Sequence, residues 1–149
     1  MRAVVQRVRA ARLEVDDVLV AEVGPGLVAF VGAGKGDTER ELGYVADKIV
    51  HLRVFEDADG KMNRSVLDIG GSVLCVSQFT VYGDVRHGRR PGFDDAMPPA
   101  EAEPAYRRFV ELVRASGVPV ATGRFQAHMR VLCDNDGPVT ILIDSAKTF

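Results

Sequence analysis

Asn135-Asp136-Gly137-Pro138-Val139-Thr140 sets turn chemistry directly ahead of the apolar run Val139-Thr140-Ile141-Leu142-Ile143. Asn and Asp tolerate left-handed backbone, Gly reaches any φ and Pro fixes its own, so the stretch predicts a chain reversal. The apolar run predicts a strand buried on both faces. Together they would mount a rigid backbone tip on a stiff element. Taken by itself the stretch reads as a plain β-turn, and its further meaning depends on the rest of the chain.

Working outward, His128-Met129-Arg130-Val131-Leu132-Cys133 predicts a strand leading into the turn, and Pro119 to Thr122 a short edge. Leu27-Val28-Ala29-Phe30-Val31 and Ser72-Val73-Leu74-Cys75-Val76 read as further buried strands. Residues 2–9 and 11–23 alternate in part and are β-branched, with Asp16-Asp17 as a turn, so the chain opens antiparallel. Two helices stand out. Thr38 to about Leu52 begins with the capping box Thr38-x-x-Glu41 and carries Leu42, Val45, Ile49 and Leu52 on one stripe. The other runs from near Pro99 to about Ser116, with Ala102, Ala105, Phe109, Leu112 and Val113 inward and Gly117 as its stop. Two helices cannot cover so many strands that are apolar on both faces. The expected fold is mixed α/β, layered β/β/α, with mixed sheets covered by two main helices and a second β layer or a subunit partner on the far side.

The 149 residues suit one domain, 1–149, with a formal net charge of -2 that gives no global attraction to nucleic acid or membrane. No stretch approaches the length of a bilayer span and the N-terminus has no apolar leader core, so a cytoplasmic location is expected. Cys75 and Cys133 sit inside apolar runs and read as small core residues rather than metal ligands or a disulfide.

Several segments invite chemistry. Gly32-Ala33-Gly34-Lys35-Gly36 follows a strand but lacks the Ser or Thr after Lys and the spacing of a dinucleotide loop, so it reads as a flexible connection. Asp57-x-Asp59-Gly60 lacks the remaining ligands of a calcium loop. Arg7 and Arg9 share a strand face, either a small basic patch or a solvated surface. Ser72–Phe79 turns abruptly polar at Ser77-Gln78-Phe79-Thr80, which either exits to solvent or presents hydroxyls, an amide and backbone N–H groups at the core's rim. Arg86-His87-Gly88-Arg89-Arg90-Pro91 suits a phosphate backbone or is a solvated charge run. His51, His87 and His128 lie on a helix, a loop and a strand, with no triad context near Ser77 or Thr80. What remains is positioning by backbone groups: N–H donors at Phe79 and Thr80 and carbonyls at Gly137-Pro138.

Ser77-Gln78-Phe79-Thr80-Val81-Tyr82-Gly83 together with Asn135-Asp136-Gly137-Pro138-Val139-Thr140 closely resembles the paired signature of the D-aminoacyl-tRNA deacylases, also called D-tyrosyl-tRNA deacylases. The resemblance extends to Val5-Gln6-Arg7-Val8, Asp59-Gly60-Lys61-Met62-Asn63, Gly70-Gly71-Ser72-Val73-Leu74, Arg89-Arg90-Pro91 and Thr122-Gly123-Arg124-Phe125. Val81 stands where Leu is common and Gln126 where a small residue is frequent. The resemblance implies a homodimeric hydrolase that cleaves the ester of tRNA charged with a D-amino acid or glycine, with no metal or organic cofactor and no membrane. It implies a cis Gly137-Pro138 reaching the partner's pocket to reject L esters, steadied by Arg7. Ser77, Gln78, Phe79 and Thr80 would form the catalytic stretch, and Phe125 and Met129 would meet the adenosine, with Arg86, Arg89 and Arg90 nearby for tRNA. Two other readings remain: a non-catalytic RNA-binding dimer, which would lack base-stacking aromatics, and a Thr- or Ser-dependent esterase of small molecules, which would lack a base.

Overall fold

Arg2–Val15 (β1) organises the molecule, described over residues Met1–Phe149 by a computed structural model. It is one continuous strand rather than two divided near residue 10. Register irregularities between Gln6 and Val8 and between Val8 and Ala10 let it change face without breaking. Ahead of them Ala3 and Val5 point to one core; Val8, between them, and Ala11, Leu13 and Val15, beyond them, point to another. The Asp16-Asp17 turn, with φ of 52° and 60°, is the two-residue hairpin connection expected of this pair. It leads into Val18–Val23 (β2), which pairs antiparallel with the second half of β1.

Gly26–Gly32 (β3) pairs antiparallel with the first half of β1, and Ser72–Ser77 (β6) lies parallel to β3. Val120–Thr122 (β7) extends the sheet as an edge parallel to β6. Between β3 and β6 come Glu39–His51 (α1) and the small hairpin of Phe55–Glu56 (β4) and Met62–Arg64 (β5). Pro99–Ala115 (α2) precedes β7, and Arg130–Asp144 (β8) runs along the other side of β1. The sheet order is therefore β2-β1-β3-β6-β7 with β8 added at β1.

The layers follow from strand alternation. On β3, Leu27, Ala29 and Val31 face the helices while Val28 faces the second core, so β3 is covered on both sides. α1 and α2 pack on the first face through Val45, Ile49, Phe109 and Val113. The sheet curls until β2 meets β6 and β7, enclosing Leu13, Val28, Leu74 and Val76. This is the mixed β/β/α arrangement anticipated above. No helix is long and apolar enough to cross a membrane.

Three expectations need correction. The predicted reversal at Asn135–Thr140 does not occur, because both flanks of that stretch pair with the same strand, β1. Val139–Ile143 is not buried on both faces: Ile143 is buried but Leu142 is 57% exposed, since β8 is covered on one side only. The inward stripe of α2 is Tyr106, Phe109, Val110 and Val113, with Ala102, Ala105 and Leu112 only half-buried; Pro104 lies within the helix. Cys75 is wholly buried, which pushes its thiol up to about 12, whereas Cys133 is half-buried.

The capping box of α1 is complete, with Thr38 Oγ1 accepting from the Arg40 N–H and Glu41 accepting from the Thr38 N–H at 2.9 Å. Hydrogen bonds from Thr38 hold the Glu41 carboxyl down at about 2. Thr38→Ala should cost about 1 kcal/mol in urea unfolding at neutral pH. Glu41 is depressed in the folded state, so its contribution is full above the ordinary value of 4.5 and fades as pH falls through about 2. The stability difference between wild type and Glu41→Gln should vanish over that window.

Candidate active site

β6 ends at Ser77, and the Gln78 N–H donates to the Val31 carbonyl at 2.8 Å, closing the last rung against β3. Phe79–Tyr82 then forms a single 3-10 turn. The N–H groups of Phe79 and Thr80, first in that turn, have no acceptor within the protein. Phe79 lines a groove of about 970 Å³, and Thr80 follows it just outside the lining. Ser77, Gln78 and Phe79 line the groove, together with Phe125 and Met129 from the loop after β7. The polar strand end and the proposed adenosine side chains are thus brought together by the parallel β3-β6-β7 edge.

Within this groove the aromatic surfaces are fixed. Phe79 is 57% exposed and meets Phe93 edge-on, ring centroids 4.9 Å apart. Phe125 lies against Tyr106 at 6.3 Å, and the Tyr106 hydroxyl donates to the Cys75 carbonyl at 2.8 Å. Burial raises the Tyr106 phenol. The Thr80 side chain is outside the groove lining, and its hydroxyl accepts from the Gln78 amide. His128 sits at the groove rim, His51 pairs with Asp47, and His87 lies in the arginine loop. No group of three or more His, Cys, Asp or Glu converges as a metal set.

Arg7 is buried and does not form a solvated basic face with Arg9. Its Nη1 donates to the Val54 carbonyl at 2.6 Å and its Nε to the Asp136 carbonyl at 3.1 Å. Arg9 reaches the Asp136 carboxylate, also at 3.1 Å. Gln6 pairs with Thr140 and Val8 with Asn135, leaving Arg7 alone opposite Asp136, Gly137, Pro138 and Val139. The surplus residues bulge outward as a tip containing a cis Gly137-Pro138 peptide. Gly137 has φ +124°, and a Cβ there would come within 2.9 Å of Arg7 Nη2. The tip does not line the groove of its own chain. It stands level with Leu27 and Val73, four residues before the Val31/Ser77 end, roughly 13 Å along the strands.

In the arginine loop, Arg86 grips Asp84 with two forked bonds, which pushes Asp84 below the usual carboxylate range. Arg86 is therefore neutralised in place, while Arg89 and Arg90 are exposed and form no ion pair. Sequence reading missed Lys35, Phe93, Asp94, Met97 and Tyr106 as groove residues. Tyr106 was discoverable from the helical stripe, one position beyond Ala105; the others come together only through the fold. In the Gly32–Gly36 loop, Gly34 N–H donates to Asp37 at 2.6 Å and Lys35 N–H to the Asp95 carbonyl at 2.9 Å.

Residues 4–144 match the D-Tyr-tRNA(Tyr) deacylase family. The chain is 61% identical to the D-aminoacyl-tRNA deacylase of Symbiobacterium thermophilum, covering 100% of this chain and 99% of that protein. It is 57% identical to the D-aminoacyl-tRNA deacylase of Thermotoga petrophila, covering 100% of both. A solved structure titled c-Myc DNA Unwinding Element Binding Protein superimposes with a TM-score of 0.93 at 42% identity, over 97% of this chain and 98% of that one. A probable eukaryotic D-amino acid tRNA deacylase gives 0.80 at 18% identity over 95% and 97%, a likeness of fold alone.

Arg7→Met keeps the length of the stem but leaves the Val54 carbonyl without its donor. Its unfolding free energy in urea should fall by about 2–3 kcal/mol.

Proposed function

This chain belongs to the D-aminoacyl-tRNA deacylase family and is a hydrolase of the D-aminoacyl-tRNA ester bond, and we propose that main-chain groups at the rim of its groove carry the reaction. The observation behind this is the pair of unpartnered N–H groups at Phe79 and Thr80, in the turn that continues from the strand end lining a groove shared with Phe125 and Met129. The terminal adenosine lies against Phe125 and Met129, and the ester carbonyl points at the two donors. Water adds to the carbonyl carbon, and its oxygen gains negative charge that the donors stabilise, each worth roughly 3 kcal/mol in such sites. The bond between the acyl carbon and the ribose oxygen then breaks, and the departing ribose oxygen takes a proton from the added water, relayed through the neighbouring 2′-hydroxyl. An aminoacyl ester is activated enough for alignment to supply much of the acceleration. Ser77 and Gln78 hold the strand end, and the Gln78 amide occupies the Thr80 hydroxyl.

Selectivity rests on Gly137-Pro138. Because the tip lies away from the groove of its own chain, it serves the groove of a second copy, so the working unit is a homodimer. The exposed Leu132 and Leu142 on β8 support a partner on that side. Carbonyls of the tip hold the substrate's amino group, and its backbone blocks the direction an L side chain would take. A main-chain wall tolerates many D side chains and also admits glycine, so glycyl-tRNA, including tRNA-Ala mischarged with glycine, is a second substrate. Arg7 anchors the tip from behind. Arg89 and Arg90 meet tRNA phosphates, while Arg86 shapes their loop.

Initial rates on D- and L-tyrosyl-tRNA test this reading. Wild type should strongly prefer the D ester. Thr80→Ala keeps its N–H and should retain kcat within roughly tenfold. Undetectable turnover in folded Thr80→Ala would mean a covalent threonine mechanism. Gly137→Ala, which crowds Arg7, should erode the D over L preference. Binding without loss of the D ester would favour a plain RNA-binding dimer, and equal rates on simple esters a small-molecule esterase.

A further inference from the structure

The glycines after β3 do not all serve the same purpose. Gly36 has φ +82° and open space around it, so it is glycine for its backbone. Gly32 and Gly34 have no left-handed φ, and what their positions require is room. A Cβ at Gly32 would lie 2.5 Å from Val81 Cγ2 and 2.8 Å from the Gln78 carbonyl oxygen. A Cβ at Gly34 would strike the Tyr82 hydroxyl and lie 2.7 Å from Cζ of the same ring. Both positions therefore press against the 3-10 turn that carries the Phe79 and Thr80 donors.

The loop bearing these glycines is held on several sides. Gly34 N–H is bound by Asp37 at 2.6 Å, Lys35 N–H by the Asp95 carbonyl at 2.9 Å, and the Ala33 carbonyl accepts from Met97 N–H at 3.0 Å. The turn is gripped as well: the Arg2 guanidinium lies over the Tyr82 ring, 4.6 Å from its centroid, with Arg2 Nε 3.6 Å from the Asp144 carboxylate.

We propose that Gly32 and Gly34 form a seat for the Phe79–Tyr82 turn and that Arg2 stacked on Tyr82 clamps the turn into it, making these four positioning residues for the main-chain donors. The proposal rests on the reading that those donors carry the reaction. A 3-10 turn is short and stiff, so pushing Val81 and Tyr82 outward carries Phe79 and Thr80 with them. Displacements near 1 Å cost on the order of a hundredfold in rate when they misalign a reacting group. Phe125 and Met129 belong to a different segment, so binding is largely spared.

The test compares full-length Gly34→Ala, Gly34→Ala with Tyr82→Phe, Arg2→Met and Gly36→Ala on D-tyrosyl-tRNA, together with the Phe79 and Thr80 amide resonances. Gly34→Ala should lower kcat roughly a hundredfold with KM within about threefold, and shift both amides. Adding Tyr82→Phe removes the colliding hydroxyl, which has no hydrogen bond to lose, but keeps Cζ at 2.7 Å, so the double variant should remain impaired. Arg2→Met places no new atom against the turn and should lower kcat in a protein that folds. Gly36→Ala should lower the melting temperature and leave kcat unchanged. Wild-type kcat and unshifted amides in both Gly34→Ala and Arg2→Met would overturn the seat. If wild type itself fails to hydrolyse D-tyrosyl-tRNA, the reaction reading fails and the amide shifts alone decide the seat.

Discussion

A buried guanidinium must find acceptors, and the way Arg7 finds them sets the form of this molecule. Its two carbonyl partners come from Val54, just after α1, and from Asp136, on β8. One side chain on β1 thereby ties the helical layer to the far edge of the sheet. The Asp136 carboxylate, shared with Arg9, adds a charged contact at the same place. Because Arg7 alone faces the surplus residues of β8, the strand can leave the ladder, project a tip and return in register at Asn135 and Thr140. Asn135 supports both sides of the departure, its amide donating to the Arg7 and Val139 carbonyls.

The groove obeys a related logic of backbone held rigid by its surroundings. β3 and β6 run parallel and end together, so the last residues of both arrive at one rim. The chain then passes into a turn too short to satisfy its own first N–H groups. In water such groups would cost little. On the proposed reading they act, beside Phe79, Phe93 and Phe125, as preorganised donors in a partly apolar setting, where a developing negative charge gains most. The arginine loop adds local positive charge to a protein whose net charge is -2.

Much of this was legible along the chain wherever the determinant was local. The capping box at Thr38 and the apolar stripe of α1 depend on neighbours three and four residues away; the box stands as read, and so do Leu42, Val45 and Ile49, while Leu52 is the extended C-cap and Ala46 and Val50 join the buried side. The Asp16-Asp17 hairpin is equally local. The inward stripe of α2 was read partly wrong, because small Ala102 and Ala105 fit an apolar pattern while the larger Tyr106 and Val110 take the buried positions. The packing of the glycine loop had no local signal: room for Val81 and Tyr82 is a property of the contact, and nothing in Gly32-Ala33-Gly34 announces what lies against it. Gln78, Phe79, Phe125 and Met129 could be singled out ahead of the fold and do line the groove, but not Lys35, Phe93 or Asp94, which reach it from loops without a pattern of their own.

By itself the sequence determined the element types, the two-layered burial of β3 and β6, and the unusual backbone character of Asn135-Asp136-Gly137-Pro138, because propensity, periodicity and φ preference are written in adjacent residues. Only the tertiary structure decided that this last stretch is an outward bulge of one long strand instead of a reversal. That outcome depends on β1 accepting both of its flanks and on Arg7 filling the space between them, and pairing across more than a hundred residues of chain leaves no trace in local chemistry.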